Sequence, residues 1–359
     1  MKRVAAIVTE YRVRSHADNI VTRLLEGYEL HWTTIRPSVE VASLYTDQVP
    51  ANDISRELAG RYGVPIVPTI REALTLGGGS LSVDGVVIVG EHGDYPYNEK
   101  GQHLYPRRRF FEETVAVFRE TGTVAPVFND KHLAYSWDDA KWMYDTAREL
   151  GIPLMAGSSM PVSPRIPPLQ VPYGAEVEEI VVVAHGGLES YGFHALEMAH
   201  APGEVREHYA AETGRGGRSG GEPNEPAIFR VEYRDGLRVT VLMLNGVVTQ
   251  RGAAVKLRDG GEVLATHFTQ ARRQPIWHFD HLVDLIERLV LTGDPPYPVE
   301  RTLLTTGMID AVMVSRFDGG REIETPHLSI AYAPAPPPGY YERSFVPPGW
   351  TRSGALVRV

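Results

Sequence analysis

The chain has 359 residues, 43% of them hydrophobic and 23% charged, the balance of a globular protein long enough for two domains. Its 36 Lys and Arg against 45 Asp and Glu leave a formal net charge of -9, which argues against nucleic acid as the main partner, because phosphate neutralisation needs a basic surface. With no cysteine, disulfides, thiolate metal sites, iron–sulfur clusters and cysteine nucleophiles are all excluded.

The apolar run at residues 4–8 reads as a first strand. It is shorter than the apolar region of a signal peptide, about 7–15 residues. No run reaches the ~20 apolar residues that span a bilayer, so a cytoplasmic protein without a membrane partner is expected. Residues 15–26 carry Ala17, Ile20, Val21, Leu24 and Leu25 at helical spacing behind Ser15, a natural N-cap. A second strand follows at 39–45, ending near Asp47, and a helix at 53–62 is stopped by Gly63. Residues 66–67 read as a short third strand, 69–74 as a short helix and 83–89 as a fourth strand.

The stretch 86–109 then draws the eye. Its β-branched start, Val86-Val87-Ile88-Val89, is that of a strand buried on both faces. Past Gly90 come Glu91, His92, Asp94, Tyr95, Tyr97, Asn98 and Lys100. Ligands of open α/β sheets sit outside the carboxyl ends of the strands, so this run is a candidate site; the plain alternative is a solvated loop. Pro106 and Arg107-Arg108-Arg109 begin the next helix, and arginines at a helix start oppose its dipole and call for an outside partner.

A helix at 110–120, a fifth strand at 124–128, a Ser136-capped helix at 137–150 and a sixth strand at 153–156 complete the alternation. That pattern predicts a doubly wound parallel sheet over residues 1–160, with its strand-to-helix loops at one edge. Five prolines between 160 and 172 mark a crossover into a second α/β domain, residues 161–333. There a strand at 178–184 and a helix at 189–199 precede an aperiodic, Gly/Arg/Glu-rich segment, 201–226, that reads as a mobile insertion. Runs at 227–233, 238–245 and 253–257, joined by turn pairs such as Asp235-Gly236, predict a mostly antiparallel open sheet. Helices at 276–291 and 299–316 follow, and residues 334–359 form a proline-rich tail.

Four stretches, in this order, resemble the Gfo/Idh/MocA family of glucose–fructose oxidoreductase and inositol dehydrogenase. They are VDGVVIVGEH from Val83, FNDKH from Phe128, SYGFHALE from Ser190, and the helix pair HFDHLVDLIERLVLTGDPPYPVERTLLTTGMIDAVMVSRFDGG from His278. The likeness runs to about residue 330. It implies a Rossmann-type first domain, and a second domain whose sheet makes a homodimer or homotetramer. It also implies NAD or NADP as cofactor and a sugar-like carbinol as substrate. Lys131 and His194 fall on the family's catalytic lysine and histidine. A lysine stabilises a developing alkoxide and a histidine moves the proton. Glu91 and His92 join them as candidates, and Asp94, Tyr95, Arg165 and Tyr191 as substrate contacts.

Two departures stand out. The family's first turn is G-x-G-x-x-G, whose glycines let a pyrophosphate approach the backbone; Val8-Thr9-Glu10-Tyr11-Arg12-Val13 has no glycine. Glu10 puts a negative charge there and Tyr11 bulk, while Arg12 and Arg14 offer cations. Thr9, Glu10, Arg12, His16, Asp47 and Gly90 remain the expected cofactor contacts, Asp47 for a ribose hydroxyl. The other is the stretch after the fourth strand, Glu91-His92-Gly93-Asp94 with a long insertion over 95–109; Ser190 also stands in place of the family's aspartate before His194, and Glu197 in place of the later one. A second reading keeps the cleft but makes the protein a lyase, isomerase or hydrolase. In that reading a divalent metal is held by His92, Asp94, His132 and His194. A third is a ligand-binding protein without catalysis.

Overall fold

The computed structural model describes residues 1–30, 33–169, 171, 175–201, 206–209, 211–214, 226–258, 260, 263–269 and 278–332. The first half runs β1 (Lys2–Val8), α1 (His16–Glu26), β2 (Tyr28–Leu30), β3 (Thr33–Ile35), β4 (Val39–Thr46), α2 (Ser55–Tyr62), α3 (Ile70–Thr75), β5 (Gly85–Val89), α4 (Arg107–Thr121), β6 (Val127–Asp130), α5 (Trp137–Leu150) and β7 (Leu154–Gly157). The second runs β8 (Arg165–Ile166), β9 (Val177–Ala184), α6 (Leu188–His200), β10 (Arg206–Tyr209), β11 (Ala211–Gly214), β12 (Ala227–Tyr233), β13 (Arg238–Met243), β14 (Arg251–Leu257), β15 (Leu264–Phe268), α7 (His278–Thr292), α8 (Val299–Phe317), β16 (Ile323–Glu324) and β17 (Ile330–Tyr332).

Five parallel strands form the first sheet in the order β4-β1-β5-β6-β7. Alternate side chains enter two cores, one on each face. Val4, Ala6 and Val8 pack with Ile20 of α1 and with Phe279, Leu282, Ile286 and Leu289 of α7. Ala5 and Ile7 pack with Leu74 of α3, Phe110 and Phe118 of α4 and Met143 of α5. Each such large apolar side chain contributes about 1.5–3 kcal/mol on burial. The chain therefore returns late, through α7, to cover a sheet made from its beginning. Local chemistry places the helix starts: Ser15 Oγ accepts from Asp18 N at 3.2 Å, and Ser136 Oγ from Asp139 N at 3.3 Å. α2 and α5 stop at Gly63 and Gly151, both left-handed.

The second sheet has eight strands, β16-β11-β12-β13-β9-β14-β15-β8, antiparallel throughout except between β9 and β13. α6 and α8 cover it through Phe193, Leu196, Leu304, Met308 and Ile309. α8 also packs into a core of the first sheet through Val299 and Leu303, so one helix joins the two sheets.

Several elements differ from the sequence reading. Residues 66–67 form no strand; Ile66 makes a single parallel bridge to Leu44, because only two residues are extended there. The β2–β3 hairpin and the strand β15 carry no clean alternation and were not expected. Part of the segment read as an aperiodic insertion is strand: β10 pairs with β17, and β11 with β12 and β16, so the pairing comes from strands outside the segment. The rest of 201–226, apart from Ala201 and Pro226, lies outside the described residues, as do residues 334–359. Among the described residues no helix is long and apolar enough to cross a membrane.

Candidate active site

The ends of β5, β6 and β7 build the site. At Gly90 a Cβ would lie 2.6 Å from Arg107 Cγ, so glycine there lets the first residue of α4 sit against the strand end. Arg107, fully buried, donates through Nη2 to Glu91 Oε2, and Lys131 Nζ donates to Glu91 Oε1 at 2.7 Å. Thr9 Oγ1 fixes the Glu91 carbonyl at 2.7 Å. Burial alone would raise the Glu91 carboxyl, but Lys131 and then Arg107 hold it well below the usual carboxylate range. One carboxylate thus anchors two buried cations.

His92 and Lys131 both have left-handed backbones, with φ of 72° and 60°. Non-glycine residues adopt that region seldom and at some cost, and such residues cluster at functional sites. Lys131 is held there by its N–H bond to Gly157 O, 3.1 Å. Its Nζ lies 5.5 Å from the centre of the Tyr191 ring, and the Tyr191 and His194 rings are 5.4 Å apart. Arg251 stands over the same ring at 4.9 Å. Tyr191 is seated on Gly186, where a Cβ would come within 2.3 Å of the ring.

Lys131 is 2% exposed, Glu91 4% and His194 6%, whereas Tyr191 is 37% exposed and forms the open side. His194 Nδ1 lies 2.5 Å from Ser158 Oγ, which also accepts from Met160 N at 2.9 Å. Glu197, buried, receives Ser158 N at 3.2 Å, Thr305 Oγ1 at 3.0 Å and Arg301 Nη2 at 3.4 Å. It locks the end of β7, α6 and α8 together behind His194. Burial, then Lys131 and Arg251, hold the His194 imidazole well below its ordinary titration range, so it is neutral at pH 7.

His132 accepts from Arg107 Nη1 at 3.2 Å and is likewise kept neutral, by burial and then by Arg107. Facing it at 3.8 Å is Glu189 Oε1, which has no hydrogen-bond partner among the described residues; Oε2 accepts from His103 N at 2.7 Å. Burial pushes the Glu189 carboxyl up to about 7. Arg107, Ser158, Glu189 and Arg251 were not singled out as site residues from sequence. Of these only Arg107 lies within a stretch already under suspicion, the arginine run; Glu189 directly precedes the SYGFHALE motif.

The other expected residues are distributed as follows. His16 Nδ1 bonds Asp130 Oδ2 at 2.6 Å and its ring meets His92 edge-on at 5.3 Å. Burial, then His16, push His92 down to about 3. Arg165 is engaged by backbone, donating to Leu169 O at 2.9 Å and Pro161 O at 2.8 Å. Among the described residues no three His, Asp or Glu side chains gather as a metal site, so His92, Asp94, His132 and His194 do not converge as one ligand set.

The turn after β1 and the end of β4 are where this kind of sheet receives a dinucleotide. Glu10 is buried and ion-paired with Arg12 Nε. Tyr11 departs from expectation: its bulk points away from the turn, into the core, with its hydroxyl 2.7 Å from Thr22 Oγ1. The apolar ring is driven inward where glycine would have left a gap. Asp47 receives the hydroxyls of Tyr45 and Tyr95 at 2.7 and 2.6 Å and Arg109 Nη2 at 2.6 Å. Burial would raise its carboxyl, but these three bonds, Tyr95 first, hold it below the usual range. Gln48 and Asp94 bond each other both ways, at 2.8 and 3.0 Å. These residues do not fit a dinucleotide in its customary pose.

No protein-family model matches the sequence, and neither does any curated protein. Solved structures do match the fold. GenD2 from gentamicin A biosynthesis, in complex with NAD, is 16% identical over 90% of this chain and 96% of its own, with a TM-score of 0.61. An oxidoreductase from Agrobacterium radiobacter, in complex with NAD+, L-tartaric acid and magnesium, is 15% identical over 90% and 98%, TM-score 0.59. A myo-inositol dehydrogenase from Corynebacterium glutamicum ATCC 13032 is 13% identical over 90% and 98%, TM-score 0.58. The chain has the Rossmann-like α/β fold of these structures, with the parallel sheet followed by a mixed one.

Proposed function

We propose that this chain is an enzyme acting by acid–base catalysis at a hydroxyl- or carbonyl-bearing carbon of a sugar- or cyclitol-like small molecule. The observation that carries this reading is the meeting of Lys131 and His194 at Tyr191, each fixed by a buried partner, Glu91 and Ser158. Lys131 donates to the substrate oxygen and stabilises negative charge as it develops there. Glu91 holds that lysine in position. His194, neutral, carries its proton on Nδ1 toward Ser158 and offers Nε2 as base. In the simplest reaction His194 takes the proton from the carbon beside a carbonyl, and Lys131 stabilises the enolate oxygen. The proton then returns to the neighbouring carbon while the proton of the adjacent hydroxyl passes to the enolate oxygen, so the carbonyl moves by one carbon. Atoms and electrons balance without a co-reactant, and the product is an isomer; protonation of the original carbon from its opposite face would give an epimer instead. Tyr191 offers an aromatic face to the C–H side of the substrate.

A second reading is nicotinamide-linked oxidation of a carbinol by the same two residues, favoured by the fold shared with NAD-bound structures. NAD or NADP would supply the hydride acceptor; because the crevice residues do not fit it, no step is assigned to it. The experiment for the first reading is proton NMR of a panel of ketoses, aldoses and inosose-type ketones incubated with the protein in D2O. Loss of a C–H signal in one substrate, abolished in His194→Ala and Lys131→Met, supports the assignment; unchanged exchange in both variants would remove these residues from the reaction.

The outer face of the mixed sheet presents Ile228, exposed, and the half-buried Val181, Val183 and Leu242. That apolar face supports a homodimer or homotetramer. Light scattering coupled to size exclusion tests it, and a monomer at assay concentration counts against it.

A further inference from the structure

In a doubly wound sheet a dinucleotide needs three things: close backbone approach at the first turn, an unoccupied helix N-terminus for its pyrophosphate, and an acidic residue free to bind ribose. This chain supplies its own occupant at each. At the turn, Glu10 is a buried carboxylate where two phosphate charges would lie, and Arg12 is paired to it rather than to an incoming anion. At the N-terminus of α1, Ser15 Oγ accepts from Asp18 N and from Arg12 N, 3.2 and 3.3 Å. Asp18 Oδ2 accepts from Arg14 N at 2.7 Å, so an acid of the chain itself faces the helix start.

At the third place, Asp47 already takes three donors, against about four acceptor positions on a carboxylate. Two of the three, Tyr95 and Arg109, come from the stretch that follows β5, as does Asp94, which is paired with Gln48. That stretch is also tied down at its far end. His103 N donates to Glu189 Oε2 at 2.7 Å, and Gln102 Nε2 donates to Tyr135 O at 2.6 Å and to Asp310 Oδ1 at 2.8 Å. Lys100 Nζ adds a 3.2 Å ion pair with Asp310. The rings of Tyr97, His103 and Tyr105 stack at 4.1 and 3.9 Å. The segment is thus built against both domains.

From this we infer that the adenosine half of the usual crevice is filled by the chain's own residues, Tyr95 and Arg109 on Asp47 and Asp94 on Gln48, and that the Lys131–His194 cleft works without a dinucleotide. What the cleft does then is proton transfer, a clause that rests on the reading above; the closed crevice itself stands apart from it. Its ligand is a small polyhydroxylated molecule entering beside Tyr191.

The test uses the full-length protein and four probes, NAD+, NADH, NADP+ and NADPH, each taken to millimolar concentration. The expected result is no saturable heat in titration calorimetry, no rise in melting temperature, and no nucleotide released when the purified protein is denatured. Saturable binding of any one of the four, or a released nucleotide, overturns the inference while leaving the roles of Lys131 and His194 to their own assay. A positive readout comes from the Tyr95→Phe, Arg109→Met double variant. If these side chains hold the crevice shut, its melting temperature falls below that of the parent; an unchanged melting temperature would also overturn the inference.

Discussion

Replacing Glu189 by Gln isolates the charge of one buried carboxyl. Gln keeps an oxygen for His103 N and nearly the same volume, so the folded geometry is preserved while ionisation is abolished. In the folded chain burial raises Glu189 from 4.5 to about 7. Of the charged groups facing it, Arg107 and Lys131 lower that value and Glu91 raises it. A group whose folded value is raised contributes stability fully present below the unfolded value, and this is lost as pH climbs through the folded value. The whole shift corresponds to about 3 kcal/mol, at ~1.4 kcal/mol per pH unit. Most of it, about 2.5 kcal/mol, falls between pH 5 and 8 by the same linkage. Urea denaturation of parent and E189Q across that range should therefore show the variant gaining on the parent by about that amount as pH rises. Parallel curves, with a constant difference from pH 5 to 8, would mean that Glu189 is ionised in the folded chain throughout, and the electrostatic picture of the cluster would fail.

Arg107→Met leaves Glu91 with Lys131 alone and should cost about 3–5 kcal/mol, the range for breaking a buried ion pair; a change under 1 kcal/mol in urea unfolding would contradict the pairing. Gly186→Ala places a methyl 2.3 Å from the Tyr191 ring at a backbone φ of 114°, so the variant should melt several degrees lower and lose cleft activity, and parent-like melting would refute the contact. Ser158→Ala removes the Nδ1 partner of His194. It should lower turnover about 100-fold, the low end of general acid–base contributions, while stability changes by no more than about 1–2 kcal/mol; undiminished turnover would show that the hydroxyl does not set the histidine's proton.

What could be read from the sequence was local. Ser15, Ser136 and Gly63 mark helix ends because caps and left-handed glycines act within one turn. The run Val86–Val89 reads as a doubly buried strand for the same reason, since burial on both faces needs no alternation. Lys131 and His194 could be paired in advance only through the resemblance, since they lie far apart in the sequence, after β6 and on α6. The closing of the crevice was not legible. Asp47 meets Tyr95 and Arg109 across long sequence separations, and nothing in their local pattern distinguishes a free ribose acceptor from a carboxylate that already takes three donors. Tyr11 reads as an obstruction at the turn until its ring is seen to point into the core. The parallel pairing of β9 with β13 was hidden too, because alternation predicts a strand's faces but not its neighbours. The raised Glu189 carboxyl arises from burial in the folded chain, which no single stretch encodes.

The most direct test of the central claim is solvent deuterium incorporation, followed by NMR, into a panel of keto-sugars and cyclitol ketones with no dinucleotide added. The account predicts that the parent protein exchanges a carbon-bound proton of at least one member and that His194→Ala abolishes the exchange. Absence of exchange with every member, together with His194-dependent reduction of NAD+ or NADP+ by the corresponding alcohols, would contradict it.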